Sequence, residues 1–226
     1  MKLSIDFQTH TNRSPECGWM APETLVRRAE SVGLDGVAIT DHNTMDGVGP
    51  ARRAASDQFL VISAEEVDTP DGQIIGLFLE EPIEPWQSPR TVIQEIHDQG
   101  GLALAPHPFD AMRSGLSSLS EYTDVLDAVE TINSRCVRPA YNRRALEFAQ
   151  QYEIPKTGGS DSHFAHEIGT AYTDLEIPSD ARAGESLADP VKQSLRDGRV
   201  SPVGGRGSIV SHAGTKCAKL YNRLRD

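Results

Sequence analysis

Apolar runs of strand length alternate with helix-patterned segments along most of the chain, and this repetition of βα units restricts the fold more than any other feature. Strands are expected at residues 3–7, 36–40, 59–67, 73–79, 102–106, 128–132 and 155–159. The first helix begins near Pro22, which suits a first turn, and carries Leu25, Ala29 and Val32 on one face before Gly33 stops it. Further helices are expected over 45–56, 89–99, 138–152 and 190–197, with irregular stretches at 80–88 and 177–185. Seven strands in this order predict an α/β fold of the TIM-like barrel kind, with one unit fewer than the usual eight.

A chain of 226 residues fits a single barrel domain over 1–203, followed by a basic segment, 204–226, packed on it. That segment carries Arg206, Lys216, Lys219, Arg223 and Arg225 against one acid, Asp226. No apolar run is long enough for a membrane span, and the N-terminus lacks a signal-peptide pattern, so a cytoplasmic location is expected. Cys17, Cys136 and Cys217 are scattered and form no C-x-x-C pair, which argues against a disulfide framework or a thiolate metal site. The net charge of −11, from 33 acidic and 22 basic residues, argues against a long nucleic acid as partner. Oligomeric state is left open.

Chemistry-bearing side chains gather at strand ends, where α/β folds build their sites. His10 ends the first strand and His42 the second. One such histidine alone is ordinarily structural; two at equivalent ends, with Asp6 and Asp41 nearby, point to metal binding, with the acids as ligands or as partners that orient the imidazoles. Glu65 and Glu66 end the third strand, and strand alternation sends them to opposite faces, so one enters the barrel mouth while the other is solvated or paired with an arginine. His107 precedes Pro108, which favours an extended backbone there. Asp161 and His163 follow a Gly158-Gly159 turn, and their spacing of two sets both on one side of an extended segment. His97 and His212 read as surface residues. Arg13, Arg113 and Arg135 follow strand ends, where guanidinium forks suit a phosphoryl group; Asn133 is expected to line the same mouth, and His166 is a minor candidate for contact with substrate. The nitrogen and oxygen donors suit Zn²⁺, Mn²⁺ or Fe²⁺. No phosphate-cradling glycine loop and no serine or cysteine triad is present in the sequence.

These motifs, in this order, resemble the PHP (polymerase and histidinol phosphatase) family, in particular its small stand-alone phosphoesterases. The resemblance implies a distorted (β/α)7 barrel, up to three divalent ions, and hydrolysis of phosphate esters. D-F-Q-T-H-T is similar to the family's D-x-H-x-H-T, which makes His10 a metal ligand; S-P-E-C places Glu16 at an acidic ligand position, and T-D-H-N-T makes His42 a ligand. A-E-E-V gives Glu66 the bridging carboxylate role, A-P-H-P supplies His107, and G-S-D-S-H supplies Asp161 and His163. Gln8 and Gln73 stand where the family has histidines, and an amide oxygen is the weaker donor to zinc-like ions. One or two well-held ions are therefore expected.

The leading expectation is a metal-dependent phosphoesterase. Its metal-bound hydroxide would attack a small phosphomonoester or short nucleotide, with Glu66 bridging ions, Asp161 or His163 managing the proton, and Arg13, Arg113 and Arg135 assisting charge. The rival expectation is a degenerate relative that binds metal or ligand with little catalysis, motivated by Gln8 and Gln73. Hydrolysis of a carbon–nitrogen bond is a third reading.

Overall fold

Each of the seven expected strands forms, and their sheet closes on itself. The computed structural model describes residues 1–14, 18–178 and 187–205. Strands β1 (Lys2–Thr9), β2 (Gly36–Ile39), β3 (Leu60–Thr69), β4 (Gly72–Leu77), β5 (Leu102–Ala105), β6 (Ala128–Asn133) and β7 (Lys156–Gly159) are joined by β8 (Ala171–Glu176) and β9 (Val200–Gly204) in the order β7-β6-β5-β4-β3-β2-β1-β8-β9. Beyond β7 the chain reaches the end of β1: Thr9 bridges Ser162, the Asp161 N–H donates to the Gln8 carbonyl (2.8 Å), and the His10 N–H donates to Ser162 (2.9 Å). This seam brings the ends of β1 and β7 together, so the sheet is a nearly closed, distorted TIM-like barrel. The distortion lies in β4, which runs antiparallel to both β3 and β5, while the β1–β2, β2–β3, β5–β6 and β6–β7 pairs are parallel.

Strands β8 and β9 were not expected from the sequence. They extend the sheet beyond the lower half of β1, where β8 pairs antiparallel with Lys2–Ile5. β9, V-S-P-V-G, carries a proline that would break an interior ladder, and an edge strand tolerates it.

The described helices are α1 (Pro22–Ser31), α2 (Val48–Ala54), α3 (Pro89–Asp98), α4 (Pro139–Gln151) and α5 (Ala188–Arg196). Proline occupies the start of α1, α3 and α4, and the Ser88 hydroxyl caps α3 by accepting from the Thr91 N–H (3.2 Å). In α1 the buried face is Pro22, Leu25, Val26 and Ala29. Val32, expected on that face, is instead exposed, because the helix ends at Ser31 and Gly33 (φ 85°) turns the chain away.

Leu3, Ile5, Phe7, Ala38, Ile62, Ala64, Ile75, Leu77, Leu102, Leu104 and Ala128 converge from six strands into one core that runs on to Leu175 and to Val191 and Leu195 of α5. Two outer cores pack α1 and α2, and α3 and α4, on the sheet. The 80–88 segment is irregular as expected, and of 177–185 only the first two residues are described. The basic segment expected at 204–226 lies outside the described residues from 206 onward, as does His212. Among the described residues no helix is long and apolar enough to cross a membrane.

Candidate metal centre

Three imidazoles stack where the strand ends meet. The His10 ring lies 4.8 Å from that of His42, at 22°, and 4.5 Å from that of His163. Each offers one nitrogen, and these atoms lie within 4.8 Å of one another. The ladder explains how residues so distant in sequence arrive together. His10 follows β1 at the seam with β7, while His42 bridges Glu66 as β2 and β3 run out side by side.

Two carboxylates complete the centre. Glu66 Oε2 lies 3.3 Å from His10 Nε2 and 3.4 Å from His42 Nδ1, while Oε1 lies 3.3 Å from His107 Nε2. Asp161 Oδ1 lies 3.4 Å from His10 Nε2 and 3.6 Å from His163 Nδ1. All are buried except His42, which is partly exposed. His10 Nε2, Glu66 Oε2 and Asp161 Oδ1 have no hydrogen-bond partner despite this burial. Buried polar atoms are rarely left so, and three that converge from separate strands fit a shared divalent cation. Nδ1 of His163 lies 2.8 Å from the Asp161 carbonyl; donating there leaves Nε2 as its ligand atom.

Electrostatics agree. Burial alone would raise the Glu66 carboxyl, but His42, then His107 and His10, hold it down at about 2. Asp161 likewise resists burial, held well below the usual carboxylate range by Arg113 and then His10. Burial and the neighbouring His10 push His163 well below its ordinary value, so it is neutral near pH 7, as a ligand or proton acceptor must be.

The remaining expected residues fall into place unevenly. Gln8 Nε2 lies 3.3 Å from Glu66 Oε1, and Gln8 Oε1 lies 3.1 Å from Asn133 Nδ2. Gln73 Nε2 donates to Asp68 (2.9 Å) and approaches His42 Nδ1 (3.3 Å). Arg113 Nη1 bonds Asp161 Oδ2. Arg135 is buried beside the Asp161 carbonyl (3.4 Å) and Glu167 (3.5 Å). Arg13 is exposed, and its charge acts on Asp41. Glu16 and Cys17 lie outside the described residues. His97 is only partly exposed and pairs with Asp127 (2.8 Å); His166 stacks on Phe164.

Four local expectations are corrected. His107 is not held extended before Pro108: its φ is 28°, and Asp161 has φ 53°, so two candidate ligands sit on left-handed backbone, a strain the surrounding fold sustains. Gly158 and Gly159 lie inside β7 and form no turn; a Cβ on Gly159 would come within 2.5 Å of Glu130 Oε1. Glu65 is neither solvated nor paired with an arginine. It is buried, with Oε2 accepting from the Ile83 N–H (2.9 Å). Asp6 and Asp41 bond no imidazole: Asp6 accepts from the Ser160 N–H (2.9 Å), and Asp41 accepts from Thr11, so they hold the backbone that carries the ligands.

Glu130 was missed. Buried in β6, it accepts from the His107 N–H (2.8 Å) and from Asn133 Nδ2 (2.9 Å), tying two strand ends together. An acid inside the apolar run A-V-E-T-I-N was the available signal.

Fold and site together define a barrel with a mixed nitrogen–oxygen centre built for divalent metal. A family model described as PHP-associated matches residues 139–200. The uncharacterised protein MJ0417 of Methanocaldococcus jannaschii is 34% identical over 161 residues, which is 66% of this chain and 64% of that protein. A two-domain protein of Bacteroides vulgatus containing a predicted PHP-like metal-dependent phosphoesterase shares the fold at a TM-score of 0.74 and 17% identity, over 91% of this chain and 65% of that one. Endonuclease Q, solved with a 27-mer duplex bearing an abasic lesion at its active site, gives a TM-score of 0.66 at 14% identity, over 87% of this chain and 57% of that one. The match to the PHP-associated model is confined to residues 139–200, while the likeness to the PHP-like phosphoesterase is one of fold over most of the chain. The chain spans somewhat less than two thirds of the length of these relatives.

Proposed function

We propose that this protein is a metal-dependent phosphoesterase acting on a small phosphomonoester or a short nucleotide. One observation carries the reading: the unpartnered His10 Nε2, Glu66 Oε2 and Asp161 Oδ1 face one another beside the partly exposed guanidinium of Arg113 and the buried one of Arg135. His10, His42, Glu66, Asp161 and His163 would hold one or two ions of the Zn²⁺, Mn²⁺ or Fe²⁺ type, with His107 on the second oxygen of Glu66. Glu16, Gln8 and Gln73 are the further family positions. When bound, such an ion supplies Lewis acidity and lowers the pKa of coordinated water.

The chain's own groups supply the rest. Arg113 and Arg135 set positive charge where phosphoryl oxygens would lie, and Arg13 adds charge from the rim. Neutral His163 has one free acceptor, Nε2, which either ligates an ion or, where the other ligands hold the ion, accepts the proton of the attacking water; ionised Glu66 keeps the centre compatible with a cation near neutral pH. Asn133 and Glu130 fix Asp161 and His107.

Endonuclease Q was solved with a 27-mer duplex substrate, whereas the net charge of −11 here favours a short substrate. A cytoplasmic location, and the division into a barrel over 1–203 with a basic segment after it, belong to the same proposal. A second reading, metal binding with feeble turnover, is favoured by the hydrogen-bonded amides of Gln8 and Gln73. A panel of phosphomonoesters and dinucleotides with added Mn²⁺ or Zn²⁺ separates the two. Metal-stimulated release of phosphate or nucleotide supports the first, and bound metal without turnover supports the second.

A further inference from the structure

The two central carboxylates divide their oxygens in the same manner. Glu66 presents Oε2 to His10 and His42, and Asp161 presents Oδ1 to His10 and His163. These inward oxygens carry no hydrogen bond. The outward oxygens are engaged. Asp161 Oδ2 takes Arg113 Nη1 and Asn133 Nδ2 (3.1 Å), while Glu66 Oε1 meets Gln8 Nε2 and His107 Nε2 (both 3.3 Å). Turned over, the Gln8 amide would donate to Glu130 (2.9 and 3.1 Å), but the contacts of Arg113 and Asn133 with Asp161 are the same in either orientation.

An ion on this outward side would need Asp161 Oδ2, which two donors already fill, and would sit against a guanidinium whose charge acts on both Asp161 and Glu66. We propose that Arg113 takes the place of a metal ion here: its guanidinium neutralises the outward face of Asp161 and Glu66, confining divalent ions to the inward face lined by His10, His42 and His163. The inference rests on the metal-centre reading above. It gives Gln8 a physical context, since an imidazole at that position has no ion to serve while Arg113 holds the carboxylate. It also makes the guanidinium a fixed positive group beside the centre, present whether or not metal is loaded.

The test is the Mn²⁺ content of the full chain, measured by elemental analysis after gel filtration, in four proteins whose folding is checked by thermal melts. The wild type and Gln8→His should bind the same number of equivalents, because Arg113 still fills Asp161 Oδ2. Gln8→His combined with Arg113→Met should bind one equivalent more, whereas Gln8→His with Arg113→Lys, which keeps the charge, should not. A rise in Gln8→His alone, or no rise in the well-folded double variant with methionine, overturns the inference and leaves the phosphoesterase reading standing. A wild type that binds no Mn²⁺ sinks both. Should the methionine double variant fail to fold, Gln8→His alone still decides, since any gain there refutes the blocking role.

Discussion

Replacing Glu65 with glutamine should raise stability relative to the wild type progressively as pH climbs from about 4.5 to 7. Glu65 is fully buried on the outer side of β3, where Oε2 accepts from the Ile83 N–H (2.9 Å) and Oε1 has no partner. Burial raises its carboxyl from 4.5 to about 7. Below about pH 4.5 folded and unfolded chains are both protonated there, and the group costs nothing. Between pH 4.5 and 7 the unfolded chain releases the proton while the folded one keeps it, so stability falls as pH rises; above 7 the penalty is complete. About 2.5 pH units at roughly 1.36 kcal/mol each give ~3 kcal/mol as the upper magnitude. Glutamine keeps an oxygen for Ile83 but buries an NH₂ group, a cost of about 1–3 kcal/mol that does not vary with pH. The quantity to follow is therefore the slope. Urea denaturation of both proteins from pH 4.5 to 8 should show the variant gaining on the wild type by up to ~3 kcal/mol across the window. A stability difference that stays constant over that range would refute a buried, protonation-coupled Glu65.

Two further substitutions probe the floor of the site. Gly159→Ala places a Cβ within 2.5 Å of Glu130 Oε1 and 2.9 Å of Gln8 Cβ, so it should cost about 1–3 kcal/mol in thermal or chemical denaturation; an unchanged melting curve would mean this packing is loose. Asn133→Ala removes the amide that spans Asp161 and Glu130 and should lower metal affinity or turnover by about 10–100-fold, read by titration with Mn²⁺; full affinity would show the amide to be dispensable.

The barrel was legible because strand-length apolar runs survive in any context, and all seven of its strands lie where periodicity puts them. His10, His42, Glu66, His107, Asp161 and His163 were legible for a related reason: side chains at successive strand ends of a closed sheet must share one rim. What escaped depends on contacts between distant segments. β8 and β9 form only because β1 offers a lower edge beyond the reach of β7, and nothing inside V-S-P-V-G announces that edge. Glu130 reads as a polar interruption until the His107 N–H and Asn133 are seen to converge on it. The backbone of His107 shows the same limit, since the preference imposed by Pro108 is local, and the surrounding packing overrides it. Arg113 and Arg135 illustrate an intermediate case, placed near the mouth by the strands they follow, with their engagement of Asp161 visible only in three dimensions.

The account stands or falls on whether side chains at the closed rim share a divalent ion. Untagged protein purified without chelator should carry about one or more equivalents of a transition metal by elemental analysis, and His10→Ala, which removes the central imidazole, should lose most of it. A metal-free wild type that also fails to take up Zn²⁺, Mn²⁺ or Fe²⁺, or a His10→Ala variant with undiminished content, would contradict it.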